Sequence, residues 1–173
     1  KAAHLLGEFV GTSLSKITNE LDKLMIITPS KEEITSEMIE KNIGISKDFN
    51  IFELNKAIGN KDVLKVNRIA NYFADNPKDH PLVMTVGTLF SYFQKILLYQ
   101  TLKDKSKGNV ASVLKVNPFF VSDYVNAAGL YSKTKNLEII SLLRQYDLKS
   151  KGVDNYSSSD GELLKELVYK ILH

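Results

Sequence analysis

One long apolar segment, residues 82–102, constrains the fold of this chain more than any other feature. Its most apolar side chains recur at the spacing of an α-helix and form a broad stripe: Leu82, Val86, Leu89, Phe90, Phe93, Ile96 and Leu97. The segment is long enough to cross a membrane, but Gln94, Lys95 and Gln100 interrupt it, and such groups are costly in mid-bilayer. We therefore predict a long helix buried in the middle of a bundle, with no membrane association.

The rest of the chain also has helical periodicity, without the alternation of apolar and polar residues that is typical of half-buried strands. The predicted fold class is therefore all-α. Thr35 is expected to cap a short helix that ends at Gly44, and 103–109 is expected to be a lysine-rich loop. The other predicted helices are 2–10, 14–27, 51–58, 62–74, 110–114, one that opens at Asn117-Pro118 and runs to about Tyr131, 136–150, and a last one opened by the capping box Ser159–Glu162.

A polar, irregular stretch predicts the domain organisation. Residues 45–50 have no helical stripe, and we place a domain boundary there. Residues 1–45 are expected to form a small helical piece, in which Leu14, Ile17, Leu21 and Leu24 make one apolar stripe. Residues 46–173 are expected to form a bundle of several helices packed on the long central one.

Composition excludes several classes of function. The chain has no cysteine, which excludes a disulfide, a thiolate zinc site and a cysteine nucleophile, and fits a reducing compartment. The net charge is only +3, and Arg68 and Arg144 are the only arginines. Because arginine supplies the bidentate fork that most base readers use, this balance argues against a sequence-specific DNA reader.

No cluster of residues predicts catalysis, a cofactor or a metal. There is no glycine-rich phosphate loop, and the three histidines, His4, His80 and His173, are far apart. The acidic group Glu32, Glu33, Glu37 and Glu40 is explained by a helix N-terminus and by solubility. The serines at 157–159 are explained by capping, so no nucleophile is predicted there.

Two features leave a nucleic-acid function open. Residues 110–128 have the outline of a helix-turn-helix, but the second helix begins with apolar and acidic residues, so core packing of Phe119, Phe120 and Val121 is the favoured interpretation. Lysines also cluster at 103–107, 133–135 and 149–151. Solvated loops and helix ends are the favoured interpretation of these lysines, and salt-dependent contact with a nucleic-acid backbone is the alternative.

Five ordered motifs carry a resemblance to a known family. The first combines Gly11, a polar pair and Leu14 with Ile17, Asn19, Glu20, Leu21, Lys23 and Leu24. The others are Ile-Thr-x-Glu within 33–39, Phe-x-Leu-x-x-Ala-Ile-Gly-Asn-x-Asp within 50–62, Asn-Pro-Phe-Phe within 116–121, and Asp-x-x-x-Lys within 147–152. Taken together, the chain resembles the delta subunit of the bacterial DNA polymerase III clamp loader. The residues that carry the resemblance most directly are Asn19, Glu20, Lys23, Phe52, Leu54, Pro118, Asp147 and Lys151.

The resemblance implies a function in assembly. Residues 1–45 would be the end of an AAA+-like lid domain, and 46–173 would be the helical collar, which in the family forms a ring with the collars of the gamma/tau and delta-prime subunits. The chain starts at Lys1, and we expect it to be a fragment. The N-terminal domain of the family, which contacts the sliding clamp, would precede it. This fragment of the cytoplasmic DNA polymerase III holoenzyme, a nucleotidyltransferase, would bind no cofactor, perform no chemistry and meet primed DNA only indirectly.

Alternatives follow from the same residues. The chain could be the collar of a gamma/tau or delta-prime subunit, or a lysine-rich helical module that binds nucleic acid. The aromatic side chains of the predicted bundle exceed what a small core needs, and tyrosine suits protein interfaces. We therefore expect an exposed aromatic patch drawn from Tyr72, Phe73, Tyr92, Phe93, Tyr99, Tyr124 and Tyr131.

Overall fold

The computed structural model describes residues 2–10, 14–28, 33–43, 49–155 and 157–173, and over these residues the chain is all-α, as predicted. It divides into two compact units, 1–52 and 53–173. The described residues form ten α-helices and one 3₁₀ turn. The helices are α1 (Ala2–Val10), α2 (Leu14–Ile27), α3 (Ser36–Asn42), α4 (Ile51–Gly59), α5 (Val63–Asp75), α6 (Leu82–Thr101), α7 (Lys107–Leu114), α8 (Val121–Leu130), α9 (Lys133–Ser150) and α10 (Asp160–Leu172), and the 3₁₀ turn is Pro118–Phe120.

The first unit packs α1, α2 and α3 around a small core. The buried side chains of these helices and of the residue after α3 are Leu5, Leu6, Val10, Leu24, Ile39 and Ile43. Of the four residues in the predicted apolar stripe of α2, only Leu24 is buried; Ile17 and Leu21 are partly exposed, and Leu14 is 81% exposed. The nine-residue α1 and the seven-residue α3 are both shorter than the fourteen-residue α2, so they leave part of its apolar face uncovered.

In the described part of the first unit, the helix cap predicted from the sequence is formed. The hydroxyl of Thr35 accepts a hydrogen bond from the backbone N–H of Met38 (3.3 Å), which begins α3 as predicted. The helix ends at Asn42, and the predicted stop at Gly44 lies outside the described residues. The predicted cap of α2 at Thr12 or Ser13 and the break at Pro29 also lie outside them.

The second unit is built around α6, which packs against α7, α8, α9 and α10, while α5 packs against α10. Only α6, among the described helices, has the length and hydropathy that a membrane span would need. It is instead a core helix of the bundle, as predicted. Its buried side chains are Leu82, Thr85, Val86, Leu89, Tyr92, Phe93, Ile96 and Tyr99.

Two helices of the second unit begin earlier than predicted. The segment 103–109 is not all loop, because α7 already begins at Lys107. Likewise α9 begins at Lys133 rather than at Asn136, because the hydroxyl of Ser132 accepts a hydrogen bond from the N–H of Lys135 (3.1 Å) and caps the helix. The predicted capping box is confirmed: Ser159 accepts from the N–H of Glu162, whose carboxylate accepts from the N–H of Ser159 (2.8 Å).

Candidate interaction surface

The family-motif residues of α2 lie on its exposed side. Asn19 is exposed, and the Lys23 ammonium donates a hydrogen bond to the Glu20 carboxylate at 2.6 Å. The Lys23 side chain is mostly in solvent, so the pair contributes at most about 1 kcal/mol. The Glu20–Lys23 pair is therefore a local contact within α2.

The motif residues at the start of α4 divide into one core residue and one half-exposed residue. Leu54 is completely buried. Phe52 is partly exposed, and its backbone N–H donates to the Asn50 side chain (2.9 Å), which satisfies one of the free N–H groups at the start of the helix. This motif thus specifies a helix start and a core contact.

Pro118 opens the 3₁₀ turn between α7 and α8. The side chain of Asn117 accepts a hydrogen bond from the N–H of Phe119 (3.0 Å), and the turn leads directly into α8. The predicted core packing of all three residues 119–121 is wrong in part, because only Val121 is buried and the Phe119 side chain is half-exposed. The 3₁₀ turn ends before Val121 and leaves Phe119 on its outer side.

The last motif pair lies at the edge of a groove. The Lys151 ammonium donates to the Asp147 carboxylate at 2.7 Å, the i, i+4 pair expected from the sequence. Asp147 also lines a groove of about 530 Å³ between α6 and α9. This pair is the only one of the sequence-predicted family motifs that adjoins the groove among the described residues.

The groove runs between two antiparallel helices. The side-chain amide of Asn136, near the start of α9, donates to the side chain of Gln100 near the end of α6 (3.4 Å), whereas Asp147, near the end of α9, shares the groove with Val86 near the start of α6. Most of the lining is apolar: Val86, Gly87, Phe90, Leu137, Ile140, Ser141, Leu143, Arg144 and Asp147. Leu137 is 50% exposed, and Met84, one turn before Gly87, is 68% exposed. The groove is therefore an apolar surface of the folded unit, open to solvent.

Gly87 and Arg144 both line the groove, and both are exposed to solvent. A glycine inside a helix costs up to about 1 kcal/mol relative to alanine, yet no atom lies within 4 Å of the Cβ position at Gly87. Arg144 is exposed and has no carboxylate within 4 Å among the described residues.

The predicted aromatic patch is wrong for most of its members. Five of the seven side chains are buried, and only Tyr72 and Tyr124 are partly exposed. The buried rings pack on one another; for example, Phe93 meets Tyr131 edge-on with ring centroids 5.4 Å apart. Most of these rings therefore fill the core around α6, whereas the open groove is lined mainly by aliphatic side chains, together with Phe90.

Two buried tyrosines have opposite hydrogen-bonding environments. The Tyr131 hydroxyl donates to the carbonyl oxygen of Ile58 at 2.7 Å, whereas the Tyr92 hydroxyl has no partner among the described residues. Burial raises the pKa of both phenols, so both stay neutral. The Tyr92 oxygen also lies 2.1 Å from the Cβ position of Gly59, which only glycine leaves free.

Replacing each tyrosine with phenylalanine should therefore have opposite effects. Tyr131→Phe should lower the free energy of unfolding by about 1 kcal/mol, because it removes a buried hydrogen bond. Tyr92→Phe should leave it unchanged or raise it by about 1 kcal/mol, because it removes a buried hydroxyl without a partner. Urea titrations followed by circular dichroism measure both variants, and an equal loss in the two would contradict the assignment of the hydrogen bonds.

The candidate catalytic and metal-binding residues are not brought together. His80 stacks on Phe73 with centroids 3.8 Å apart, and His173 stacks on Tyr169, so these two histidines lie in separate aromatic contacts. Within the ranges that the structure describes, no three histidine or carboxylate groups are close enough to hold a metal ion. Of the acidic group near α3, Glu33 and Glu37 are exposed, and the side chains of Glu32 and Glu40 lie outside the described residues.

The sequence alone did not single out the groove. Two sequence features point to it: Gly87 lies inside an apolar helix, and Met84 lies one turn away from it. Helical periodicity, however, does not show which part of a broad apolar stripe is left uncovered by the other helices of the bundle. That depends on where α9 crosses α6, which is a property of the tertiary fold.

Comparison with known proteins identifies the family. Residues 48–168 match the family model described as the DNA polymerase III delta subunit, C-terminal domain. The chain belongs to this family. A curated relative, the DNA polymerase III subunit delta of Bacillus subtilis (strain 168), is 31% identical over 170 residues, which are 96% of this chain and 47% of the relative. A solved structure, the Bacillus subtilis DNA clamp loader delta protein (YqeN), matches with a TM-score of 0.63 and 28% identity over 99% of this chain and 50% of that chain.

These comparisons confirm the resemblance to the delta subunit and support it over the gamma/tau, delta-prime and nucleic-acid-module alternatives. The delta-family match begins at residue 48 and therefore covers nearly all of the second unit, 53–173. The chain spans about half the length of the curated relative and of the solved structure that it matches.

Proposed function

We propose that this chain is an assembly part of a DNA polymerase III clamp loader, in which residues 46–173 bind other subunits. The observation that carries the proposal is the match of residues 48–168 to the C-terminal domain of the delta subunit. In this proposal the partners are gamma/tau and delta-prime subunits, residues 1–45 are the end of a lid domain, and contact with the sliding clamp belongs to a domain that precedes Lys1. The complex works in the cytoplasm.

The groove between α6 and α9 is the proposed contact surface. A protein interface needs an apolar centre with few charges and a polar rim. The groove has apolar side chains along its length, Phe90 among them, and Arg144 with Asp147 at one end. Gly87 allows a neighbouring helix to approach the backbone of α6 closely. A partner helix with an apolar ridge and one carboxylate directed at Arg144 would fit these features.

The chain contributes no chemistry of its own in this proposal. Within the described residues, no three histidine or carboxylate groups lie close enough together to hold a metal ion, and His80 and His173 lie in separate aromatic contacts. The groove is lined mostly by apolar groups, and no histidine lies beside its Ser141 hydroxyl among the lining residues. The role we propose is to hold the rest of the delta subunit beside the subunits that hydrolyse ATP.

A charge placed in the groove tests the proposal. Leu137→Lys should weaken binding to the gamma/tau and delta-prime subunits of the same organism about tenfold or more, because a lysine ammonium would be buried against an apolar partner. Leu137 is half-exposed, so the folded chain tolerates the change. Sedimentation velocity or calorimetry measures the dissociation constants of variant and unchanged chain.

The matched control is Leu64→Lys on α5, at a side chain that is exposed and outside the groove. This control adds the same charge and should bind as the unchanged chain does. Equal weakening by both variants would mean that the groove is not the contact surface, and no binding by the unchanged chain would contradict the assembly function itself.

A further inference from the structure

Lysines from three separate segments gather at one end of the second unit. The hydrogen bond from Tyr131 to the Ile58 carbonyl and the one from the Gln100 amide to the Tyr131 carbonyl (both 2.7 Å) bring together the α4–α5 turn, the end of α6 and the α8–α9 junction. The lysine end, as we call it, consists of Lys61, Lys103, Lys105, Lys107, Lys133 and Lys135. Residues distant in sequence thus form one basic surface.

The lysines of this end have no acidic partners. Among the described residues, none of the six forms an ion pair, whereas the ion pairs of the second unit involve other lysines: Lys56, Lys65, Lys151 and Lys170. The two carboxylates on the same segments accept hydrogen bonds from backbone N–H groups, Asp62 from Lys65 and Asp104 from Ser106. The hydrogen bonds from Ser106 hold the pKa of Asp104 below its usual value. These two carboxylates stay charged, but the six lysines outnumber them, so the surface keeps a net positive charge.

Helix dipoles do not explain the position of these lysines. Lys107 is the first residue of α7, and Lys133 and Lys135 lie in the first turn of α9. A cation is stabilised at a helix C-terminus and disfavoured at an N-terminus, where the backbone already presents positive partial charge. The sequence-based interpretation, in which lysines suit helix ends, is thus wrong for these three. Their positive charge adds to that of the helix N-termini, a combination that attracts anions.

Two lysines are held in place by aromatic rings. The ammonium group of Lys61 lies 4.9 Å from the ring centroid of Tyr131, and that of Lys105 lies 5.0 Å from that of Tyr99. Cation–π contacts of this kind order a flexible lysine without neutralising its charge. The surface is therefore partly organised before a ligand arrives.

We propose that the lysine end binds the phosphate backbone of DNA without reading its sequence. Lysines spread over several segments, with no enclosing pocket, suit an extended polyanion better than a single phosphate group. Lysine supplies point charges rather than the bidentate fork that reads bases, so phosphates and not base edges are the expected contacts. The choice of DNA rests on the proposed clamp-loader function, while the presence of a polyanion site rests on the lysines alone.

The test compares two triple variants that remove the same charge. The first is Lys103→Gln, Lys105→Gln and Lys133→Gln, and the second, the control, is Lys78→Gln, Lys115→Gln and Lys165→Gln, at exposed lysines elsewhere in the unit. Fluorescence anisotropy with a fluorescein-labelled 20-base-pair duplex, at NaCl concentrations from about 50 to 200 mM, gives the affinity and its salt dependence. Far-UV circular dichroism checks that both variants fold.

The unchanged chain should bind the duplex with affinity that falls steeply as salt rises. The first variant should bind about tenfold more weakly or worse at low salt, with the slope of log K against log salt reduced by about 0.9 for each phosphate that is no longer neutralised. The control should stay within about twofold, since its lysines contact no phosphate. Equal weakening in both variants, no binding by the unchanged chain, or binding to phosphatidylglycerol vesicles in place of DNA would overturn the proposal.

Assembly and DNA binding can be measured separately on the same protein sample, so the two proposals are tested independently. Mixing with the gamma/tau and delta-prime subunits measures assembly independently of DNA. Assembly without DNA binding contradicts only the lysine-end proposal, and DNA binding through the lysine end without assembly contradicts only the clamp-loader assignment. The first triple variant should still assemble, because its lysines lie outside the groove between α6 and α9.

Discussion

Phe93→Ala should lower the free energy of unfolding by about 3–5 kcal/mol, the range for truncating a large aromatic side chain in a packed core. Phe93 is completely buried on α6 and meets two other rings, Tyr131 at 5.4 Å and Tyr92 at 5.6 Å between centroids. Its removal leaves a cavity among α6, α8 and the start of α9 that these rigid rings cannot fill. Urea unfolding followed by circular dichroism at 222 nm measures the loss.

The matched control for this truncation is Phe119→Ala. The side chain of Phe119 is half-exposed and packs mainly on Phe120, with centroids 5.1 Å apart. Its removal should cost about 1 kcal/mol or less. If the two variants lost similar stability, Phe93 would not be at the centre of the core, and the arrangement of helices around α6 would be wrong.

Gly161→Ala should destabilise the second unit by about 1–3 kcal/mol, the usual range for overpacking. A Cβ at this position would lie 2.7 Å from the Cβ of Ala74 and 3.2 Å from its Cα. Because both atoms are fixed by the α5 backbone, the new methyl group can fit only if α5 and α10 move apart. Thermal and urea unfolding of the variant measure the effect.

The control for this prediction is Gly129→Ala in α8, where no atom lies within 4 Å of the new methyl group. This change should leave stability unchanged or raise it by up to about 1 kcal/mol, because alanine has the higher helix propensity. The two glycine variants should thus differ in sign. Destabilisation by both, or by neither, would contradict the close contact between α5 and α10.

Local signals predicted the helices well, because each depends on a few neighbouring residues. The capping box at Ser159 and the cap at Thr35 are formed as expected, since a hydroxyl and the N–H three residues later meet whenever a helix starts there. The predicted starts of α7 and α9 are about one turn too late. Lysine-rich segments resemble loops in sequence, but Lys107, Lys133 and Lys135 are compatible with a helix and lie in the first turns of these two helices.

Features that depend on tertiary packing could not be predicted from periodicity. The sequence correctly placed Phe93 on the apolar face of α6, but it could not show that α9 leaves the Gly87 side of that helix open. Nor could it show that the Tyr131 hydroxyl reaches the Ile58 carbonyl, 73 residues away in sequence, and so brings the lysine segments together. Each of these depends on where helices cross, which single-helix patterns do not encode.

The family motifs were informative for a different reason. Leu54 and Pro118 specify a core contact and a turn, and the Asp147–Lys151 pair stabilises the end of α9, so each could occur in an unrelated helical protein. Their order along the chain carried the resemblance to the delta subunit. A role of these residues beyond stabilising the fold is still a prediction.

The most direct test of the central claim is the composition of the complex that this chain forms. The chain is mixed with the gamma/tau and delta-prime subunits of the same organism, separated by size-exclusion chromatography and weighed by multi-angle light scattering. If this chain is a clamp-loader assembly subunit, a single stable complex that contains one copy of it should form. A chain that elutes alone at micromolar concentration, or that associates only with itself, would contradict the assignment of residues 46–173 to clamp-loader assembly.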